Sequence, residues 1–335
     1  MNLYKLISDH RKELMGFAAL WILIFHDWFL LFAHVPGLFE IEYFIQRSGD
    51  CGVTIFFFLS GFGLVKSIEK KSTKEFLNSR LKRLIIPTII TTFVCIFVNK
   101  WTLLDLLKVI TGIAFIKDPL YYLWFFYAIL VTYLLFPFYY RLYKKTNNKL
   151  LFSVFSIVIL LLLMELILHT QLLNNNIFIF LNRIPAFIFG VYFSEFENKK
   201  DCNLLIVTIV CVILLICGIY LKWQTTQFEK NIIFPSSQTF LPDICLFFPI
   251  CYFLSYFLKL LGENSIISKV LAFVGIYSYE LYCSQEIVQR NAMGRFFEQF
   301  VPKAATNFII IFIELIIGYS IYRLSKYINK RISHS

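Results

Sequence analysis

The sequence predicts an all-α polytopic membrane protein with ten transmembrane helices and both termini in the cytoplasm. Three observations carry that prediction. Hydrophobic residues make up 59% of the 335-residue chain and mean hydropathy is +0.70, whereas a soluble domain sits nearer half apolar. Uncharged runs repeatedly reach about 18–20 residues, the length that crosses a hydrocarbon core of roughly 30 Å. The basic residues between those runs are dense on alternate segments and sparse on the others.

The spans are expected at 12–33, 50–69, 84–99, 121–140, 150–169, 177–195, 203–222, 240–261, 267–288 and 304–325. With the N-terminus inside, 22 of the 32 lysines and arginines fall on inner segments and 9 on outer ones, with Arg183 within a span. The positive-inside rule then sets the orientation. The formal charge of +11 is a topology signal and needs no nucleic-acid partner. One transmembrane domain over 1–335 is expected, without a soluble domain. The first span is too long for a cleaved signal peptide, carries His26 and Asp27, and lacks a small-residue cleavage site. Eight cysteines fall mostly within spans and form no C-x-x-C pair. They read as small apolar packing residues, neither a disulfide framework nor a metal site.

Taken in order, the first span follows a basic collar, Arg11-Lys12, and runs uncharged from Leu14 to Phe25 before His26 and Asp27 interrupt it. Ionisable groups are rare in that medium and mark a functional site by default. The second span opens Gly52-Val53-Thr54, and Ser60-Gly61 near its middle would let a neighbouring helix approach closely. The most basic inner loop follows, ending Arg80-Leu81-Lys82-Arg83 and then Pro87. Trp101 to Asp118 reads as amphipathic; Thr102–Phe115 is expected as a surface helix, with a re-entrant segment as the alternative. Tyr121-Tyr122-Leu123-Trp124 and Pro137-Phe138-Tyr139-Tyr140 are aromatic belts at the two ends of the fourth span. The fifth, seventh and tenth spans, rich in Ile and Leu, are expected to face lipid. The sixth holds Asn182-Arg183-Ile184-Pro185, a charge beside a helix kink; the eighth opens Pro242-Asp243; the ninth holds Tyr277 to Glu286. No internal repeat is evident, which counts against an inverted-repeat transporter.

At 1.5 Å per residue, His26 lies about 10 Å, Arg183 about 9 Å and Glu280 about 12 Å from the outer ends of their spans. Asp27 is level with His26, and Asp243 lies a little above. A buried arginine requires an anion. Glu280 is at the right height to supply it, either as a structural clamp or within a substrate site. His26 either makes an interhelical hydrogen bond or serves as a general base. Asp27 cannot orient it, because adjacent residues on a helix point about 100° apart. At the inner face Arg80 and Arg83 share one side of a helix, next to Lys82 and the lysines from Lys66 to Lys74. Such a cluster is either an anchor on anionic lipid or a dock for a phosphate-bearing cofactor. Without a Walker loop, a G-x-G-x-x-G or a His/Cys cluster, a nucleotide hydrolase or metalloenzyme is unsupported.

Several motifs then coincide in order. Gly16-Phe17-Ala18-Ala19-Leu20 through Phe25-His26 resembles the first helix of the acyltransferase-3 family of integral membrane (O-)acyltransferases. Gly52-Val53-Thr54-Ile55-Phe56-Phe57-Phe58-Leu59-Ser60-Gly61-Phe62 resembles its GV-x-x-FF-x-LSGF signature, and Arg80-Leu81-Lys82-Arg83 to Pro87 its R-x-x-R…P element. Tyr122-Leu123-Trp124-Phe125, Arg183-Ile184-Pro185-Ala186-Phe187 and Gly275 to Tyr282 are further likenesses. The resemblance implies transfer of an acyl group, usually acetyl, from cytoplasmic acyl-CoA to a hydroxyl of a cell-surface or lipid-linked saccharide. It implies a multi-pass protein of a bacterial plasma or inner membrane. By that likeness His26 would be the catalytic histidine and Arg80 and Arg83 would hold the CoA phosphates; Lys82 beside them and Arg11, one turn before Met15, are expected to serve the same donor. Arg183, Glu280, Gln285, Asp27 and Ser60 would serve the acceptor. Acetyl-CoA or another acyl-CoA is the implied donor, with no metal. Membrane lipid, the saccharide and a glycan-assembly protein are the implied partners. Many relatives carry an added esterase-like domain; this chain, ending at Ser335, is expected to act directly on its acceptor or through a separate partner.

Two positions depart from the family pattern. Met15 stands where an arginine is frequent, with Arg11 one turn earlier, and Gln285 stands where a histidine is frequent. The rival readings are a secondary transporter or permease with an intramembrane His/Arg/Glu relay, and a non-catalytic assembly protein on the same scaffold.

Overall fold

The structure, a computed structural model, describes residues 2–98, 100, 102–117, 123–170, 175–199, 202–228, 237–288 and 290–334. Trp101, Asp118, Tyr121 and Tyr122 of the expected loop and aromatic belt, and Lys200 and Lys230 of the charge count, lie outside the described residues. Long apolar runs without period-2 alternation favour helix, and every regular element among the described residues is helical. Asn2 caps α1 (Leu3–Asp9), its side chain accepting the Lys5 N–H at 3.0 Å. Next come α2 (Arg11–Asp27), α3 (Leu38–Arg47), α4 (Cys51–Glu69) and α5 (Thr73–Val98). The middle of the chain forms α6 (Leu103–Thr111), α7 (Ile113–Lys117), α8 (Trp124–Lys145), α9 (Lys149–Thr170) and α10 (Asn175–Phe193). It ends with α11 (Leu204–Phe228), α12 (Ser237–Leu261), α13 (Ile266–Ile276), α14 (Ser278–Ile287), α15 (Arg290–Phe297) and α16 (Lys303–His334).

Among the described residues, eight helical stretches are long and apolar enough to cross a membrane. The pair α13–α14, bent by 67°, makes a ninth. The expected ten are not reached, because α2 has 17 residues where a span takes about 20. Its expected span ran to Ala33, but the helix stops at Asp27 and Trp28 turns extended at φ −86°, ψ 123°. Side chains of α3 hold the chain beyond. Glu42 accepts the Trp28 indole N–H at 2.8 Å and the N–H groups of Leu31 and Phe32 at 2.9 Å. Gln46 donates to the Trp28 carbonyl at 2.6 Å. Backbone polar groups released from a helix must find other partners, and α3 supplies them.

The expected surface helix is present as α6 and α7. Thr102 and Asp105 form a capping box at its start. It breaks at Gly112, whose φ of +70° suits glycine. Leu103, Leu104, Leu107 and Ile110 are exposed along one face. The helices α9 and α11 bury few of their residues, as expected of lipid-facing spans. The tenth expected span departs from that. α16 packs its Gly318 against Leu281 and buries Thr306, Asn307 and Glu314 on one side, while Phe308, Phe312 and Ile316 stay exposed on another, so only part of this helix faces outward.

Two glycine crossings set the spacing of the helices. At Gly16 and Gly275, α2 and α13 touch backbone to backbone, and a methyl at either position would strike the partner's carbonyl, Leu271 or Lys12. Gly61 and Gly190 do the same for α4 and α10. Ser268 donates to Glu13 at 3.2 Å, and Gln285 to Asp27 at 2.8 Å. Early residues meet early and late meet late, so α2 runs in the same direction as α13–α14. α4 runs the other way: Arg11 meets the Leu59 carbonyl at 3.1 Å, while Gly49 lies against Trp21. Replacing Gly275 by Val should destabilise the detergent-solubilised protein by about 1–3 kcal/mol, the usual cost of overpacking. Thermal unfolding measures it, and an unchanged midpoint contradicts the close crossing.

Candidate active site

One stripe of α2, Arg11, Met15, Ala19, Ile22 and His26, follows the 3.6-residue period and faces a narrow cavity of about 130 Å³. Stripes of α4, α5, α8 and α14 complete the wall, among them Ser60, Arg80, Arg83, Tyr133, Tyr279 and Gln285. Arg11 to His26 is fifteen residues, about 22 Å of helix. The cavity therefore has two chemically different ends.

At the first end three guanidinium groups converge. Arg11 donates from Nε to the Leu59 carbonyl, lies over the Phe62 ring at 5.8 Å and packs against Gly63, where any side chain would displace it. Arg83 reaches the Ile276 carbonyl at 3.5 Å, at the bend between α13 and α14. Arg80 lies against Tyr133, and its buried Nε has no hydrogen-bond partner. Among the described residues that line the cavity none is acidic. Behind the lining, Glu280 is the carboxylate that feels Arg83; three mutually repelling cations still outnumber it and favour an anionic guest. At the second end His26, in the last turn of α2, is exposed, with the Phe25 ring edge-on at 4.7 Å. Gln285 lines the cavity beside it and is fixed by its bond to the buried Asp27.

The other expected site residues lie elsewhere. Asp27 is off the cavity wall and acts through Gln285. Lys82 is also outside the lining, pointing away from the side that Arg80 and Arg83 share. The expected Arg183–Glu280 pair does not form. Arg183 pairs with Asp243, donates to Thr54 at 2.8 Å and lies 3.6 Å from Asp50. Lys222 completes the cluster, 2.6 Å from Asp50 and 3.1 Å from Asp243. Glu280 is buried on α14, which packs on α5, α16 and α2; one of its carboxylate oxygens has no partner, and the charge acting on it is Arg83. Counting residues along a helix fixes a height but not a side of the bundle, and these two residues occupy different sides.

The four-charge cluster joins α4, α10, α11 and α12 and was not foreseen. Lys222 ends one apolar run and Asp243 opens the next, which reads in sequence as ordinary flanking charge. The sequence marks Arg183 as a cation within a span that needs an anion, but does not say which of Asp50, Asp243 and Glu280 supplies it. Among the described residues no three His, Cys, Asp or Glu side chains group as a metal site requires. All eight cysteines are unbridged.

The family model for the acyltransferase domain Acyl_transf_3 matches residues 14–323. The chain belongs to the acyltransferase-3 family. It is a membrane acyltransferase by that membership. No curated protein and no solved structure matches the chain. In this acyltransferase the two departures from the family pattern both face the cavity: Met15 lies on the wall one turn from Arg11, and Gln285 stands near His26.

Removing one member of the buried cluster strands a charge, which costs about 3–5 kcal/mol. Asp243→Asn should lower stability by that amount. Lys222→Met combined with Asp50→Asn keeps the Arg183–Asp243 pair balanced and should cost less than the two single changes added together. Unfolding in detergent tests this, and strict additivity would contradict the coupling.

Proposed function

We propose that the protein is an O-acyltransferase that moves an acetyl or other short acyl group from cytoplasmic acyl-CoA to a hydroxyl of a cell-surface or lipid-linked saccharide. The observation that carries this reading is the single cavity with an unbalanced arginine end and an exposed histidine end. The phosphates of the donor suit Arg11, Arg80 and Arg83, because guanidinium forks match phosphate oxygens and charge-assisted bonds are the strong ones. That end lies among the lysine- and arginine-rich segments, which the positive-inside rule assigns to the cytoplasm. The narrow passage admits a slender thioester-bearing arm and keeps a sugar ring at the mouth, where His26 is exposed.

In the proposed reaction the acceptor oxygen bonds to the thioester carbonyl carbon while its proton passes to His26. The carbon–sulfur bond then breaks, and the departing thiolate takes the proton back from His26. Gln285, held by Asp27, donates or accepts a hydrogen bond at the acceptor and carries no charge in either state. Asp27 is thus a positioning residue for the glutamine, not a partner of the histidine.

His26→Ala, expressed at the normal level, should abolish transfer, since a general base contributes about 10²–10⁴ in rate, yet still bind CoA. Arg80→Ala with Arg83→Ala should weaken CoA binding about a hundredfold, from two charge-assisted bonds. Glycan acetylation and CoA titration of the purified protein read these outcomes. Transfer retained by His26→Ala overturns the assignment.

A further inference from the structure

A second hollow, of about 430 Å³, lies between α13 and α16, and the proposed reaction makes no use of it. Its floor is aromatic. Phe273 stands 5.2 Å from Tyr277 and 5.4 Å from Tyr319, and Tyr319 is 6.2 Å from Tyr322. Its rim is cationic: Arg323, Lys326 and Lys330 are exposed along one stripe of α16, and no lining residue is acidic. Arg323 is preset by a 3.1 Å bond to the Tyr319 hydroxyl.

We propose that this groove binds the phosphate headgroup of an anionic membrane lipid. Basic pockets between helices at one membrane face are suited to such headgroups. The order of residues along α16 argues for a lipid over a soluble phosphate. The same stripe continues away from the cations as Ile316, Phe312 and Phe308, which are 50%, 61% and 64% exposed. From Phe312 to Arg323 is about 16 Å of helix, over which the surface passes from apolar to phenolic to cationic. An acyl chain, a glycerol backbone and a phosphate follow that same order. Tyr277 links the groove to the central cavity, for it stands at the bend of α13–α14 and precedes the cavity residues Ser278 and Tyr279.

The test is native mass spectrometry of the delipidated, purified full-length protein, titrated with phosphatidylglycerol or phosphatidylcholine. Phosphatidylglycerol should be retained in preference to phosphatidylcholine. The variant Arg323→Ala/Lys326→Ala/Lys330→Ala should lose about tenfold or more of that affinity, since each basic residue near an anionic surface contributes measurably. Arg141→Ala/Lys144→Ala/Lys145→Ala removes equal charge outside the groove and should leave the affinity within about twofold. If the Ala variant fails to fold, the Gln counterparts of the same three positions give the reading. Equal losses in the two triple variants would overturn the site in favour of diffuse attraction. Absence of headgroup preference, or displacement of the lipid by inorganic phosphate or by CoA, would overturn it as well.

Discussion

At Gly16 and Gly275 two helices meet without side chains between them, and the geometry of the cavity depends on that contact. With α2 and α13 pressed together and running in the same direction, the Arg11-to-His26 stripe is brought level with the face of α14 that carries Tyr279 and Gln285. A larger residue at either glycine would part the helices and open the wall along its length. The bend at Tyr277 matters for the same reason. It lets α14 turn away from the α2 axis, so that its residues line a cavity where a straight helix would have filled it.

The charges inside the bundle divide into two populations with opposite character. Arg183, Lys222, Asp50 and Asp243 form a closed set, two of each sign, that ties four helices together. Buried charges are tolerable when paired and hydrogen-bonded, and here the four charges cancel, although the Arg183 Nε has no hydrogen-bond partner. Arg11, Arg80 and Arg83 are the reverse: gathered on one cavity end, with no acidic residue in the lining. The scaffold set balances two charges against two, whereas the cavity's three arginines outnumber the Glu280 carboxylate that acts on Arg83. That asymmetry separates a structural arginine from one available to a guest.

Much of the fold was legible because membrane spans obey a simple length rule, and α4, α5, α8 to α12 and α16 follow it. The first span was misjudged in length because hydropathy cannot register Glu42 and Gln46 of α3 collecting the backbone after Trp28. For the site, the residues that line the cavity carry signals that sequence can hold: the three-residue spacing of Arg80 and Arg83, the i, i+4 relation of Arg11 and Met15, and a histidine ending an apolar helix. Partnership across helices left no such trace. Arg183 was paired with Glu280 on height alone, while its real partners, Asp50 and Asp243, came from the helices packed against its own side.

The central claim is that one cavity holds a donor at its arginine end and presents the reacting carbon at its histidine end. An experimental structure of the protein with acetyl-CoA bound tests it most directly. The account predicts phosphate density within hydrogen-bonding distance of Arg11, Arg80 and Arg83, with the thioester carbonyl directed along the cavity toward His26. Phosphates bound at another face of the bundle, or a thioester lying away from His26, would contradict it.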